Sequence, residues 1–162
     1  MSRLMLRAAL FVGALLLIMV PFLIAPTARS LQVQTETGTI VWCATISRSD
    51  IVQLQFTHSM FGGFVREQWL VTPSNDLERV RFVTENAAAA EYYATDGTSY
   101  LADDGYVVPG EPLQQQQLIV RVNTRGNHVL TVGEHRVQLA EELKESTQVR
   151  ISIEPQPCGI EN

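Results

Sequence analysis

Past residue 30 the chain alternates apolar and polar side chains with a period of two, which predicts strands rather than helices. In Ile51–Phe56, Val52, Leu54 and Phe56 share one face while Gln53 and Gln55 take the other. Phe64 to Thr72 resumes an extended run, and Pro73-Ser74-Asn75-Asp76 turns it. Leu77 to Thr84 alternates again, with Val80 and Phe82 opposed to Arg79 and Arg81. Thr39–Cys43, Gln117–Val122 and Thr147–Ile153 predict further strands. His128–Val132 and His135–Leu139 flank Gly133-Glu134, the composition of a type II′ hairpin. Glu85 to Gln114 is irregular and predicts a long loop carrying small elements, with one helical turn at Ala87–Ala90 running into Tyr92 and Tyr93. A brief helix is expected over Leu139–Glu145. About eight strands with one apolar and one polar face predict a mainly β protein: an antiparallel β-sandwich or small barrel.

The first 30 residues follow another pattern. From Ala8 to Ala25 there are 18 residues with no charge and no polar face, preceded by Arg3 and Arg7. Such a run is a signal-peptide core or a single membrane helix. Its length exceeds the usual signal core of about 7–15 residues and lies at the short end of a span. Pro26-Thr27-Ala28 offers a cleavage point after Ala28, although Pro26 fits the small–x–small pattern poorly, and an uncleaved signal anchor is favoured. In either case the basic residues stay inside and residues 31–162 form an exported, extracytoplasmic β domain, membrane-anchored or secreted.

Charge and cysteines sharpen this picture. Three of the 12 basic residues and none of the 17 acidic ones lie in the first 30 positions, so the remainder carries a net charge of −8. That balance argues against nucleic acid or anionic lipid as partners, since both require a basic face. Cys43 and Cys158 are the two cysteines, and in an oxidising compartment an even count invites a disulfide pinning the C-terminal tail to the start of the fold.

The most distinctive stretch is Phe56-Thr57-His58-Ser59-Met60-Phe61-Gly62-Gly63-Phe64-Val65-Arg66-Glu67-Gln68-Trp69. If the flanking strands form a hairpin, His58 and Glu67 come within reach of one another. The pair then either locks the hairpin or forms a small binding site or proton-linked switch. A metal site would need His58, Glu67, His128 and His135 to converge from separate strands, and no tight ligand spacing supports one. Ser59 follows His58 directly, so on a strand the two point to opposite faces, and no nucleophile elbow is present. Ser59 is expected to bond nearby backbone as a turn hydroxyl. Gly62-Gly63 lacks the lysine and helix of a phosphate loop, and Gly126-Asn127-His128 predicts a turn with a capping side chain. Trp42, Trp69, Tyr92 and Tyr93 fill the core or line an apolar pocket. No catalytic residue, cofactor or metal is expected from these patterns.

Several of these segments together carry a resemblance. The N-terminal apolar segment is followed by His58-Ser59, then Val65-x-Glu67-x-Trp69, then Val122 with Asn127-His128, then Leu139-x-Glu141-x-Leu143 and a final alternating strand. Over residues 36 to 154 the chain resembles the domain-of-unknown-function 1850 family, most specifically in the His-Ser and Val-x-Glu segment. Where many such sequences carry a Gly-Ala-Gly stretch, this one has Asn86-Ala87-Ala88-Ala89-Ala90. The resemblance implies a small exported partner of a TAXI-type tripartite ATP-independent periplasmic transporter. It marks His58, Ser59, Glu67 and His128 as the family-like positions. The expected function is thus a non-enzymatic accessory subunit facing outward at the membrane, beside the transporter's permease or solute-binding subunit. The alternative is an exported small-ligand or metal-binding module using the His58–Glu67 hairpin.

Overall fold

A computed structural model of the chain describes residues 28–159, other than 48, 112, 113, 144 and 145. The apolar run 8–25, and most of the leader assigned to residues 1–30, lie outside the described residues. Among the described residues no helix is long and apolar enough to cross a membrane.

The protein is mainly β, and every strand pairing is antiparallel. A four-stranded sheet contains β1 (Arg29–Thr35), β2 (Ile40–Ile46), β9 (Gln117–Val122) and β12 (Thr147–Glu154), in the order β2-β1-β12-β9. An eight-stranded sheet is built on the meander β3 (Ile51–Thr57), β4 (Phe64–Val71) and β5 (Leu77–Thr84). The hairpin β10 (Val129–Val132) and β11 (His135–Gln138) extends it on one side. The hairpin β6 (Tyr100–Ala102) and β7 (Gly105–Pro109) extends it on the other, and β8 (Gln114–Gln115) pairs with β5. Helix α1 (Ala87–Tyr93) follows β5, and a single turn, α2 (Leu139–Glu142), follows β11. Among the described residues the sheets do not close into a barrel, and there are twelve strands where the alternation predicted about eight.

The inner faces of both sheets meet in one apolar core. Leu31 and Val33 of β1, Leu118 of β9 and Ile151 of β12 pack with Val52 and Leu54 of β3, Trp69 of β4 and Leu130 of β10. This contiguous burial is the main force holding the layers together. A smaller cluster of Val65, Phe82, Ala90 and Val108 lies beside it and holds α1 against β5 and β7. On the outer face of the large sheet the polar residues form their own ladder. Arg81 Nε donates to Gln68 Oε1 at 2.6 Å, and Gln68 Nε2 donates to Gln53 Oε1 at 3.1 Å.

Arg29 opens β1 and is itself buried, donating to the carbonyls of Thr72 (3.1 Å) and Pro73 (3.0 Å). The segment 85–114 carries α1, β6, β7 and the start of β8 as its small elements. Two sequence expectations are corrected here. The short helix ends at Glu142. In β5 the faces of Arg79 and Val80 are exchanged. The β4–β5 register slips between Gln68 and Trp69, so Trp69 opposes Arg79, Gln68 opposes Arg81, and Val80 is the extra residue of a bulge. A bulge shifts side-chain phase by one position. Arg79 therefore shares the inner face with Trp69, and Val80 turns to solvent. The hairpin at Gly133 forms as expected, with φ +54 at Gly133 and Val132 opposite His135.

Candidate functional site

At the end of the large sheet where β3 stops, the chain makes a compact loop from His58 to Gly63. His58 N donates to the Gly63 carbonyl at 3.0 Å, and Gly62 N returns to the His58 carbonyl at 3.1 Å. Both glycines take left-handed φ, +67 and +70, a region L side chains disfavour. The Glu85 carboxylate lies where a side chain on Gly63 would sit, 2.7 Å from that position. The His58 imidazole acts as an internal cap: its Nδ1 accepts from Met60 N and from Phe61 N, each at 3.1 Å. Two N–H groups aimed at one ring nitrogen fix the tautomer, leaving the proton on Nε2. Asn86 caps α1 with Oδ1, accepting from Ala88 N and Ala89 N. Its Nδ2 donates to the Phe61 carbonyl at 3.0 Å, which ties helix and loop together. The helix is held over the loop by rings: Tyr93 stands edge-on to His58 at 5.8 Å, and Tyr92 edge-on to Phe61 at 5.8 Å.

A second turn comes from the other side. Asn123 Oδ1 accepts from Gly126 N at 2.7 Å, and the Gly126 carbonyl accepts from Thr57 N at 2.7 Å, docking this turn onto the end of β3. Asn127 is left-handed at φ +47, a conformation asparagine tolerates, and its Oδ1 accepts from Gln138 Nε2. His128 then turns inward and stacks on Phe56, with ring centroids 5.6 Å apart and planes 18° apart. Its ring lies against the Gly126 backbone, where a Cβ would meet Cε1 at 2.2 Å. Burial lowers the His128 pKa below the ordinary imidazole value, and a bond to the Asn123 backbone opposes that shift. Its Nδ1 is buried without a hydrogen-bond partner among the described residues.

Between these two turns lies an open cleft of about 830 Å³. His58, Ser59 and His128 line it together with Phe56, Tyr93 and Arg125. Three of the four positions singled out from the sequence thus share one cleft, although His58 and His128 are 70 residues apart. Ser59 is exposed at its mouth and makes no hydrogen bond among the described residues, so the expected turn bond is not formed.

Glu67 is the fourth position, and the direct His58–Glu67 pair is not made. The last β3–β4 pair before the loop is Thr57 with Phe64, whereas Glu67 opposes Leu54, three pairs further from the loop. His58 Nδ1 is meanwhile occupied by backbone amides. Glu67 points into the sandwich instead, across from Phe82 on β5. Burial pushes its carboxyl above the ordinary glutamate value, and the Arg79 charge offsets only part of this. Burial and then the Glu67 charge also raise the Tyr93 hydroxyl, so Glu67 reaches the cleft electrostatically through its wall. Trp69 Nε1 and Arg79 Nε are buried on the same inner face without hydrogen-bond partners among the described residues. The bulge that turned Arg79 inward is what brings its charge to bear on Glu67.

The raised Glu67 value fixes the sign of a pH effect. The folded state holds this proton more tightly than the unfolded chain does. Its contribution therefore weakens stability as pH rises from the ordinary glutamate range, about 4.3, through the raised folded value, and the loss is complete above it. Glu67→Gln is expected to melt higher than wild type at neutral pH, with the gap closing as pH falls toward the glutamate range. Melting curves that stay parallel across that window would show that burial of this carboxyl carries no such cost.

Tyr93, Asn123 and Arg125 were not marked as site residues by the sequence. Tyr93 both stacks on Phe82 at 4.2 Å and lines the cleft, so the pocket and core alternatives for that ring hold together. Asn123 and Arg125 sit in a turn whose local pattern carries no chemical signature. Cys43 and Cys158 are joined as a disulfide. Among the described residues no group of three His, Cys, Asp or Glu side chains could hold a metal ion. No protein-family model, curated protein or solved structure matches the chain.

Proposed function

We propose that the β domain is a non-catalytic binding module, exported to the outer side of a membrane, that holds a small molecule in the His58–His128 cleft as an accessory subunit of a TAXI-type tripartite transporter. The observation that carries the binding reading is the cleft itself. Its volume of about 830 Å³ is in the range of small-molecule sites, and its walls mix aromatic rings with a few convergent polar groups. Support for the transporter setting is the resemblance, whose His58, Ser59 and His128 all face this cleft. A non-catalytic role accords with the state of the polar groups. His58 Nδ1 is held by two backbone amides, and His128 Nδ1 is sealed from solvent, so neither is poised as a base toward Ser59.

The topology suggests which transporter subunit the cleft serves. Arg29, where β1 begins, is fixed to Thr72 and Pro73 at one end of the sandwich. His58 and Ser146, both at the cleft, lie at the opposite end of the strands, since β1 runs antiparallel to β12 and β4 antiparallel to β3. Seven extended residues span roughly 20 Å. With residues 8–25 anchored in a bilayer, the cleft faces away from it, toward a solute-binding subunit rather than the buried part of a permease. Affinity isolation of the full chain from its native membranes tests this. Transporter subunits are expected to accompany it, and the solute-binding subunit is expected to be lost first when Ser59→Trp blocks the cleft mouth. Isolation that never yields a transporter component removes the accessory role.

A further inference from the structure

We infer that the cleft selects a small organic anion, with Arg125 receiving the acidic group and the Phe56 and Tyr93 rings receiving an apolar body. The inference rests on the ligand-binding reading above and adds the chemical class. The chain carries 17 acidic residues, yet among the described residues no Asp or Glu lines the cleft. Arg125 does line it, is exposed, and makes no hydrogen bond or ion pair among the described residues. An unpaired guanidinium in a recess that no described carboxylate lines, with Glu67 set behind the Tyr93 wall, is a planar donor fork matched to a carboxylate.

The other polar groups point the same way, because what they have left to offer is mainly hydrogen-bond donation. Nδ1 of His58 is filled by the Met60 and Phe61 amides, which leaves its Nε2–H. Asn123 Oδ1 is filled by Gly126 N, which leaves its NH₂ group. The Ser59 hydroxyl has no partner among the described residues. The acceptor nitrogen of the second ring, His128 Nδ1, is buried behind Gly126, so acceptance is left to hydroxyls that can equally donate. Such a set satisfies an acceptor-rich guest and offers little to a cation. The aromatic part of the wall excludes a purely inorganic ion as the best fit: Phe56 is backed by His128, and Tyr93 by Phe82, so both rings are rigid platforms for an apolar body.

The test uses the full chain in detergent micelles with labelled histidine rings, titrated with hexanoate and benzoate. Neutral hexanol and benzyl alcohol, cationic hexylamine and benzylamine, and sulfate serve as comparisons. The acids are expected to shift the His58 and His128 signals saturably and to leave His135, outside the cleft, unmoved. The neutral and cationic analogues and sulfate are expected to bind at least about ten-fold more weakly, a gap of about 1.4 kcal/mol. Arg125→Glu, at an exposed position, is expected to leave the melting temperature unchanged and to remove acid binding, and Arg125→Lys to retain part of it. Alcohols or amines that bind in the cleft as well as the acids overturn the anion assignment while leaving a binding module. Acid binding indifferent to Arg125→Glu also overturns it. Failure of every probe to move either cleft histidine overturns this inference and the binding reading together.

Discussion

Replacing both Cys43 and Cys158 with serine is expected to lower the melting temperature by about 10 °C, corresponding to about 2–4 kcal/mol. The bridge closes a sequence separation of 115 residues, so its loss releases a large loop-closure entropy to the unfolded chain. The native state loses something as well. Gln32 of β1 stands opposite Cys43 of β2 on one side and Ser152 of β12 on the other, so Cys43 faces the outer side of the sheet with Gln32. The disulfide therefore draws the tail beyond β12 back across β1. There Gln32 is only 4% exposed although it points away from the core, and Gln156, Pro157 and Gly159 share a recess with Gln32 and Gln34. Beneath the tail, Gln32 Nε2 donates to Ser30 Oγ at 3.2 Å, and Gln34 Nε2 donates to Gln32 Oε1 at 3.0 Å. Thermal melts of the double variant should match those of the reduced wild type, and limited proteolysis should begin within 155–159. An oxidised wild type and a double variant with equal melting temperatures would show that the bridge does not hold the tail.

That covered ladder also explains why β1 escaped the sequence pattern. Arg29-Ser30-Leu31-Gln32-Val33-Gln34-Thr35 alternates as cleanly as β3, but it abuts the apolar leader, and its polar face is buried by a tail more than 120 residues away. The strands predicted over Leu77–Thr84 and Gln117–Val122 match their observed bounds, because period-two alternation is a local property of half-buried sheets. Alternation does not locate a bulge, so Arg79 was placed outside although it faces inward. The cleft was half legible. His58, Ser59 and His128 stood out through motif and chemistry, but their convergence depends on Thr57 N meeting the Gly126 carbonyl, a contact across 69 positions. Glu67 stood out for the same reason as His58, and register alone separates them. Arg125, the one free cation that lines the cleft among the described residues, had no local signal at all.

Phe82→Ala is expected to cost about 3–5 kcal/mol and to open the cleft from behind. Phe82 is 1% exposed and belongs to the smaller cluster, which among the described residues has only Val65, Ala90 and Val108 as fellow buried members. So few neighbours cannot collapse to fill the space of a ring, and the cavity term adds to the lost burial. The same ring stacks on Tyr93 at 4.2 Å and 28°, so its removal takes away the support of the cleft wall. Helix α1 is seven residues long, too short to persist without tertiary packing. Hydrogen exchange should therefore show the Ala90 and Ala94 amides, which close α1 on the carbonyls of Asn86 and Ala90, losing protection well before the Leu31 and Val33 amides of β1. Phe82→Leu keeps most of the volume and is expected to lose less than half as much stability while retaining α1 protection. If Phe82→Ala instead weakens α1 and β1 amides to the same extent, the two clusters unfold as one unit, and Tyr93 is held in the cleft by the whole sandwich rather than by its stacking on Phe82.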